Sequence, residues 1–340
     1  MPISQGTASA LRICIGTAMA GAAIGASYSA MLGGQPKLGA TVGFLIGSGV
    51  SALELFIVQR RIGEPLRRMK LAYFIGIMTV LWMLIIAIGL QVTPHLYGMS
   101  EGLYPKAWTG STLWQDIAFS LAVAFLLNFF GRIRSLVGSR VLFNFLLGRY
   151  HRPLREERVF LFLDLAHSTM LSEKLGDICV QSLIGRFFFD IAQPISEYGG
   201  ETHRYIGDEI VVTWPLKEAI RGARCVRCVF AIQDLIAARA PTYHAEFGVI
   251  PECRIGMHGG SVVASEVGDD KREIVYFGDT INTAARLEQM CKQLKRAFLV
   301  SGELLSRMSL SSDILTEELG TMELRGKQQQ VRILSVSRAA

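Results

Sequence analysis

Charge is scarce in this sequence. Only 19% of its 340 residues are Asp, Glu, Lys or Arg, while 50% are hydrophobic. A disordered chain has the opposite balance, so disorder as the main state is excluded. The uncharged runs are also longer than an ordinary core helix needs, which excludes a simple soluble domain. Cysteine is thin as well. Cys14, Cys179, Cys225, Cys228, Cys253 and Cys291 are scattered without a pairing pattern, which excludes a disulfide scaffold and suits a reducing compartment. Cys225 and Cys228 form one C-x-x-C inside a helical pattern, with no second pair. A structural zinc needs four ligands, so these read as buried thiols.

The little charge present is unevenly placed. The net value is +6, and the surplus of Lys and Arg lies entirely in residues 1–155; residues 156–340 are net acidic. A basic total can mark a nucleic-acid binder. Here the basic residues flank apolar runs, so membrane topology is the better reading and no nucleic-acid partner is expected.

Residues 13–36, 71–94 and 117–131 contain no Asp, Glu, Lys or Arg, and 38–59 contain only Glu54. A span needs ~20 mostly apolar residues. The pattern predicts an all-α membrane domain of four transmembrane helices over 1–131, the fourth reaching back to about Ser111, with Asp116 near its outer end. Arg60, Arg61, Arg67, Arg68 and Lys70 crowd the second loop, and Arg132, Arg134, Arg140, Arg149 and Arg152 follow the last span. Positive loops stay inside, so both termini are expected to be cytoplasmic, in a multi-pass protein of the cell membrane. Gly21/Gly25 and Gly43/Gly47 are G-x-x-x-G pairs, read as packing within the bundle or as a dimerisation surface. Glu54 is read as an interfacial partner of Arg60 and Arg61. Residues 132–157 form a helical connector, stopped by Gly148 and Pro153.

From Arg158 the texture alternates. Strands are predicted at Val159–Leu163, His203–Ile206, Ile210–Trp214, Arg254–His258, Ser261–Ser265, Ile274–Gly278, Leu299–Val300, Met322–Leu324 and Val331–Val336. Helices are predicted at Leu171–Tyr198, Lys217–Ala240 and Asp279–Leu294. Gly207-Asp208-Glu209 and Gly259-Gly260 are read as hairpin turns. The order β-α-β-β-α-β predicts an α+β, ferredoxin-like core over 158–340.

Three polar clusters fall at predicted strand ends. Asp164 breaks an apolar strand, and a buried lone carboxylate is costly without a partner. Asp208 sits in a tight turn. If that hairpin pairs beside the first strand, the two carboxylates converge and can hold two divalent cations. Asn282 and Arg286 are four apart and share one helix face. An Arg there can stabilise charge developing on phosphate, or can simply pair with Glu288.

Together these clusters resemble the class III nucleotidyl cyclases, the adenylate and guanylate cyclase catalytic domain. The resemblance covers roughly 157–337. It rests on Phe162-Leu163-Asp164-Leu165 with Ser168-Thr169, on Tyr205-Ile206-Gly207-Asp208-Glu209, and on Gly278-Asp279-Thr280-Ile281-Asn282-Thr283-Ala284-Ala285-Arg286-Leu287-Glu288. The resemblance implies that Asp164 and Asp208, with the Leu165 backbone carbonyl, hold two Mg2+ or Mn2+ ions. It implies that Asn282 orients the ribose, that Arg286 stabilises the α-phosphate, and that Lys327, with Arg325 as the alternative, meets the terminal phosphates. It also implies a homodimer with composite sites, the metal residues from one protomer and Asn, Arg and Lys from the other.

The departures concern the base. The two purine-reading positions fall at Arg204 and Val275. Val cannot hydrogen-bond, and Arg offers donors only, which suits the adenine N1 acceptor. The expected activity is therefore conversion of ATP to 3′,5′-cyclic AMP and pyrophosphate by a protein anchored in the lipid bilayer. A guanylate cyclase is the alternative, and a degenerate nucleotide-responsive dimerisation module the non-enzyme one. His167 replaces the usual Gly of the first motif. The sequence names no sensory ligand.

Overall fold

The computed structural model of the chain describes residues 5–31, 35–53, 69, 71–96, 118–119, 121–123, 125–126, 148–269, 272–323 and 330–339. The chain forms two compact units, Met1–Val137 and Gly138–Ala340.

In the first unit the described helices are α1 (Gln5–Met31), α2 (Pro36–Leu53) and α3 (Leu71–Leu96). α1 and α2 pack backbone to backbone. A Cβ added at Gly21 would collide with the Gly43 carbonyl, one at Gly25 with the Gly39 carbonyl, and one at Gly47 would come within 2.7 Å of the Thr17 carbonyl. Both G-x-x-x-G pairs are thus used inside one chain, the packing reading rather than the dimer one. α3 meets α2 through Val50, Phe74, Met78, Trp82 and Ile86.

The four expected spans are not obtained as such. Among the described residues no helix is long and apolar enough to count as a membrane span. Most of the fourth expected span, Glu54, Asp116, the basic residues of the second loop and connector residues 132–147 lie outside the described residues.

The second unit runs β1 (Leu154–Leu165), α4 (Ser168–Leu175), α5 (Asp177–Glu197), β2 (Glu201–Ile206), β3 (Glu209–Pro215), α6 (Leu216–Ile220), α7 (Arg224–Phe247) and β4 (Cys253–Val267). It continues with β5 (Glu273–Phe277), α8 (Asp279–Leu294), β6 (Phe298–Ser301), α9 (Gly302–Leu305), β7 (Ile314–Glu323) and β8 (Gln330–Arg338). The strand order is β2-β3-β1-β4-β6-β8-β7, with β5 paired to β4. The first four strands stand in the order β4-β1-β3-β2, the split βαβ arrangement the sequence predicts.

β1 is the central organiser, antiparallel to β3 on one side and β4 on the other. Its residues alternate between faces. Val159, Leu161 and Leu163 are fully buried in the cluster that holds Phe187, Ile191, Val229 and Ile232 of α5 and α7. Phe160 and Phe162 face the other way, into a cluster with Val211, Val262, Tyr276 and Ala284. Asp164 continues that second set.

Three expectations are corrected. The helix expected over Leu171–Tyr198 is two, divided at Gly176 (φ +81°). The next is also two, α6 and α7, with Gly222 (φ +61°) at the kink. The hairpin expected at Gly259-Gly260 does not form, because β4 runs straight through it for 15 residues. A Cβ at Gly259 would sit 2.8 Å from Leu304 and 3.0 Å from Val159, and one at Gly260 2.8 Å from the Thr280 hydroxyl. These glycines serve close packing, and no turn is involved.

Candidate active site

The geometry begins at the end of β1. Asp164 pairs across the ladders with Glu209 of β3 and Arg254 of β4. The β2–β3 turn, Gly207-Asp208, folds back on this end: the Leu165 amide donates to the Asp208 carbonyl at 3.3 Å. Gly207 takes φ +61°, which a two-residue turn demands and glycine allows. The turn therefore brings Asp208 beside Asp164, close enough for its carboxylate to act on that of Asp164. Leu165 is the last residue of β1, directly beside the pair.

The electrostatics follow from crowding. Burial, and next the Asp208 carboxylate, push Asp164 up to about 6. Burial, and then Asp164 and Asp208, push Glu209 up to about 7. Glu288 of α8 is buried nearby and is also pushed to about 7, by burial and then by Asp164 and Glu209. Arg254 opposes the crowding, its Nη1 3.9 Å from Asp164 Oδ2. Among the described residues no group of three or more His, Cys, Asp or Glu is arranged to hold a metal. The pair Asp164 and Asp208 nevertheless fits a divalent cation, since mutual repulsion of carboxylates is what such an ion relieves.

α8 lies on the same face of the sheet. A Cβ at Gly256 would collide with the Glu288 amide. The packed side of α8 carries Thr280, Thr283, Ala284, Leu287, Glu288 and Cys291. Asn282 is exposed and Arg286 half-buried, both off that side, as two residues from Ala284 or Glu288 must be in a 3.6-residue helix. Asn282 and Arg286 share a face with each other and are not on the side that turns Glu288 toward the aspartates.

Arg204 sits exposed on β2 and pairs with Glu273 of β5. Val275, half-buried, is opposite Ser265 of β4. Arg325 and Lys327 lie outside the described residues. His167 takes a left-handed backbone, φ +62° and ψ +23°, the conformation glycine adopts freely. The C-x-x-C resolves as expected: Cys225 and Cys228 are free and fully buried, and burial pushes the Cys225 thiol up to about 12.

The sequence reading missed Arg254 and Glu209, and treated Glu288 only as a partner for Arg286. Arg254 carries the same signal as Asp164, a charge among the apolar residues of a strand. It was legible once the two strands were set side by side.

Known proteins agree with this architecture. The family described as Adenylate and Guanylate cyclase catalytic domain matches residues 153–335. "Adenylate cyclase 2" of Rhizobium meliloti (strain 1021) is 36% identical over 307 residues, covering 90% of this chain and 84% of that protein. "Adenylate cyclase 1" of the same organism is 26% identical over 187 residues, 54% of this chain and 28% of that protein. Among solved structures, a bacterial light-regulated adenylyl cyclase shares the fold with a TM-score of 0.54 at 22% identity, over 67% of this chain and 66% of its own. The residues 153–335 that match are the strands and helices just described, with Asp164, Asp208, Arg254 and α8 among them, and on that ground the chain belongs to the adenylate and guanylate cyclase catalytic domain family and is a nucleotidyl cyclase.

Proposed function

We propose that this chain is a membrane-anchored adenylate cyclase that converts ATP to 3′,5′-cyclic AMP and pyrophosphate at composite sites of a homodimer. The observation that carries the reading is the convergence of Asp164 and Asp208, with Arg254 beside them, on a face where Asn282 and Arg286 turn away. One protomer offers carboxylates; the outward side of α8 offers an amide and a guanidinium to a second copy. Isologous pairing would complete two equivalent sites.

Asp164, Asp208 and the Leu165 carbonyl would hold Mg2+ or Mn2+. Bound there, the ions supply positive charge at the attacking hydroxyl and at the phosphates. In the reaction the 3′-hydroxyl gives up its proton to solvent, the bond from O3′ to the α-phosphorus forms and the bond from that phosphorus to the pyrophosphate oxygen breaks. Asn282 fixes the ribose, so that O3′ is in line. Arg286 stabilises charge growing on the α-phosphate. Lys327, or Arg325, neutralises the leaving pyrophosphate. Arg204 donates to the base; Val275 is silent.

Two things support ATP: donors without acceptors at Arg204, and the name of the relative that covers most of the chain. A bilayer anchor rests on the first unit. No described helix is long and apolar enough to cross a membrane. What supports the anchor is the sequence: stretches 13–36, 38–59, 71–94 and 117–131 hold a single charged residue between them, with basic residues flanking them.

The test is a nucleotide assay on the purified full-length protein with Mg2+ or Mn2+, ATP against GTP, and chromatographic identification of product. Cyclic AMP as the main product is expected. Cyclic GMP as the main product would make this a guanylate cyclase, and neither product would leave only a binding module.

A further inference from the structure

One contact in the second unit has no part in holding the carboxylates. β2 is the edge strand, separated from β4 by β3 and β1, while β5 pairs with β4. The two nevertheless meet, because β5 folds over the face of the sheet. The Tyr276 ring lies 5.3 Å from Phe160 of β1 and 5.0 Å from His203 of β2. The Arg158 guanidinium stands 5.0 Å from the same ring. This bridge ends in a hydrogen-bonded ion pair, Arg204 Nη2 donating to Glu273 Oε2.

Stability does not account for that pair. The two side chains are 43% and 38% exposed, and exposed ion pairs contribute little to folding. What such a pair does fix is direction. Arg presents five donors in a rigid plane. A carboxylate on one edge leaves the remaining edges aimed one way. Glu273 and Val275 are two apart on one strand, so they share a face of β5. The carboxylate thus stands on the face where Val275 offers no polar atom. His203, next to Arg204, does not compete as a second cation: burial, then Arg204 and Arg158, hold its imidazole down at about 4.

We propose that Glu273 is a specificity-determining positioning residue, which holds the Arg204 guanidinium with its free donors toward an acceptor edge of the purine base. This rests on the reading, above, that Arg204 meets the base. Glu273 itself does not react; it acts through Arg204.

The test compares kcat/KM for ATP and GTP in full-length wild type, Glu273→Gln, Glu273→Asp and the double variant Glu273→Gln with Val275→Asp. Loss of one oriented hydrogen bond should lower the ATP-to-GTP ratio about tenfold in Glu273→Gln. The change should fall mainly in KM for ATP, with kcat nearly kept and an unchanged melting temperature. Glu273→Asp should retain most of the ratio. The double variant returns a carboxylate to the same strand face and should recover part of it. An unchanged ratio in Glu273→Gln overturns the proposal, as does a fall carried by kcat alone. If Glu273→Gln shows no cooperative melt, Arg204→Lys reads the contact from the other side: it keeps the charge and loses the planar fork. A lowered ratio then supports the proposal and an unchanged one overturns it. A wild type that prefers GTP refutes the ATP reading alone, since the shift between wild type and variant still decides the role of Glu273.

Discussion

The two units use the same packing device and differ in what they bury. In the first, Gly21, Gly25, Gly39 and Gly43 let two helix backbones touch. In the second, Gly256 lets α8 lie directly on β4. The apolar side chains part company there. Val159, Leu161 and Leu163 are fully buried in the second unit. In the first, Leu11, Ile15 and Met19 of α1 and Tyr73, Ile77, Val80, Leu84 and Ile88 of α3 are turned outward. Along α3 these recur every three or four residues, one continuous stripe. Glycine contacts bring α1 and α2 together there, and an apolar cluster of Val50, Phe74, Met78, Trp82 and Ile86 joins α2 to α3. The second unit buries its apolar residues on both faces of the sheet and crowds carboxylates at the end of β1.

The sharpest way to separate the units is to remove the chemistry from one. Asp164→Ala or Asp208→Ala should lower cyclisation on the order of a thousandfold, the scale of losing a main electrostatic element. Both variants should melt no lower than wild type, since each relieves repulsion among carboxylates. Near wild-type turnover of both under saturating Mn2+ would refute the metal assignment.

Composite sites give a smaller, positive effect. Asp164→Ala and Arg286→Ala should each be inactive alone and regain part of the activity when co-expressed, because one of the two sites in a mixed dimer is complete. Absence of recovery despite demonstrated mixed dimers would mean that each site takes Asp164 and Arg286 from the same protomer.

Much of the second unit is legible in the sequence because each signal is local. The apolar run Val159–Leu163, the turn at Gly207-Asp208 and the helix Asp279–Leu294 need no distant partner to be read. What escapes is decided by neighbours. Gly259 and Gly260 look like a turn until Leu304, Val159 and Thr280 are packed against them. Arg254 and Glu288 join the site only when β4 and α8 come beside β1. The Arg204–Glu273 pair links residues 69 apart in sequence, which no pattern on either strand announces. In the first unit the G-x-x-x-G pairs are visible, but which helix they face is a property of the fold.

The contribution of the first unit is tested by prying it apart. Gly43→Leu drives a side chain into the Gly21 carbonyl and should force α1 from α2. If the first unit assembles the dimer, specific activity in detergent should become steeply dependent on protein concentration, as for a fragment of residues 138–340. Turnover at the highest concentration should change little, since Asp164 and Arg286 are untouched. Identical dilution curves for wild type, Gly43→Leu and the fragment would reduce the first unit to a tether.

The smallest effect lies inside the carboxylate cluster and depends on pH. The backbone of Glu288 lies against Gly256, and its side chain is buried near Asp164 and Glu209. Its pKa is raised from 4.5 to about 7. The folded state therefore holds the proton more tightly than the unfolded one, and stability falls as pH rises through that window. Glu288→Gln removes the ionisation and leaves the shape. With chelator present, its melting temperature should match wild type at pH 5 and exceed it by a few degrees at pH 8, the scale of ~1 kcal/mol in a domain of this size. Mn2+ relieves the same repulsion, so adding it should shrink the gap at pH 8. Calorimetry of residues 138–340 at both pH values, with and without Mn2+, decides the matter. A gap that ignores pH would mean that Glu288 is held by packing alone and has no charge coupling to the aspartates.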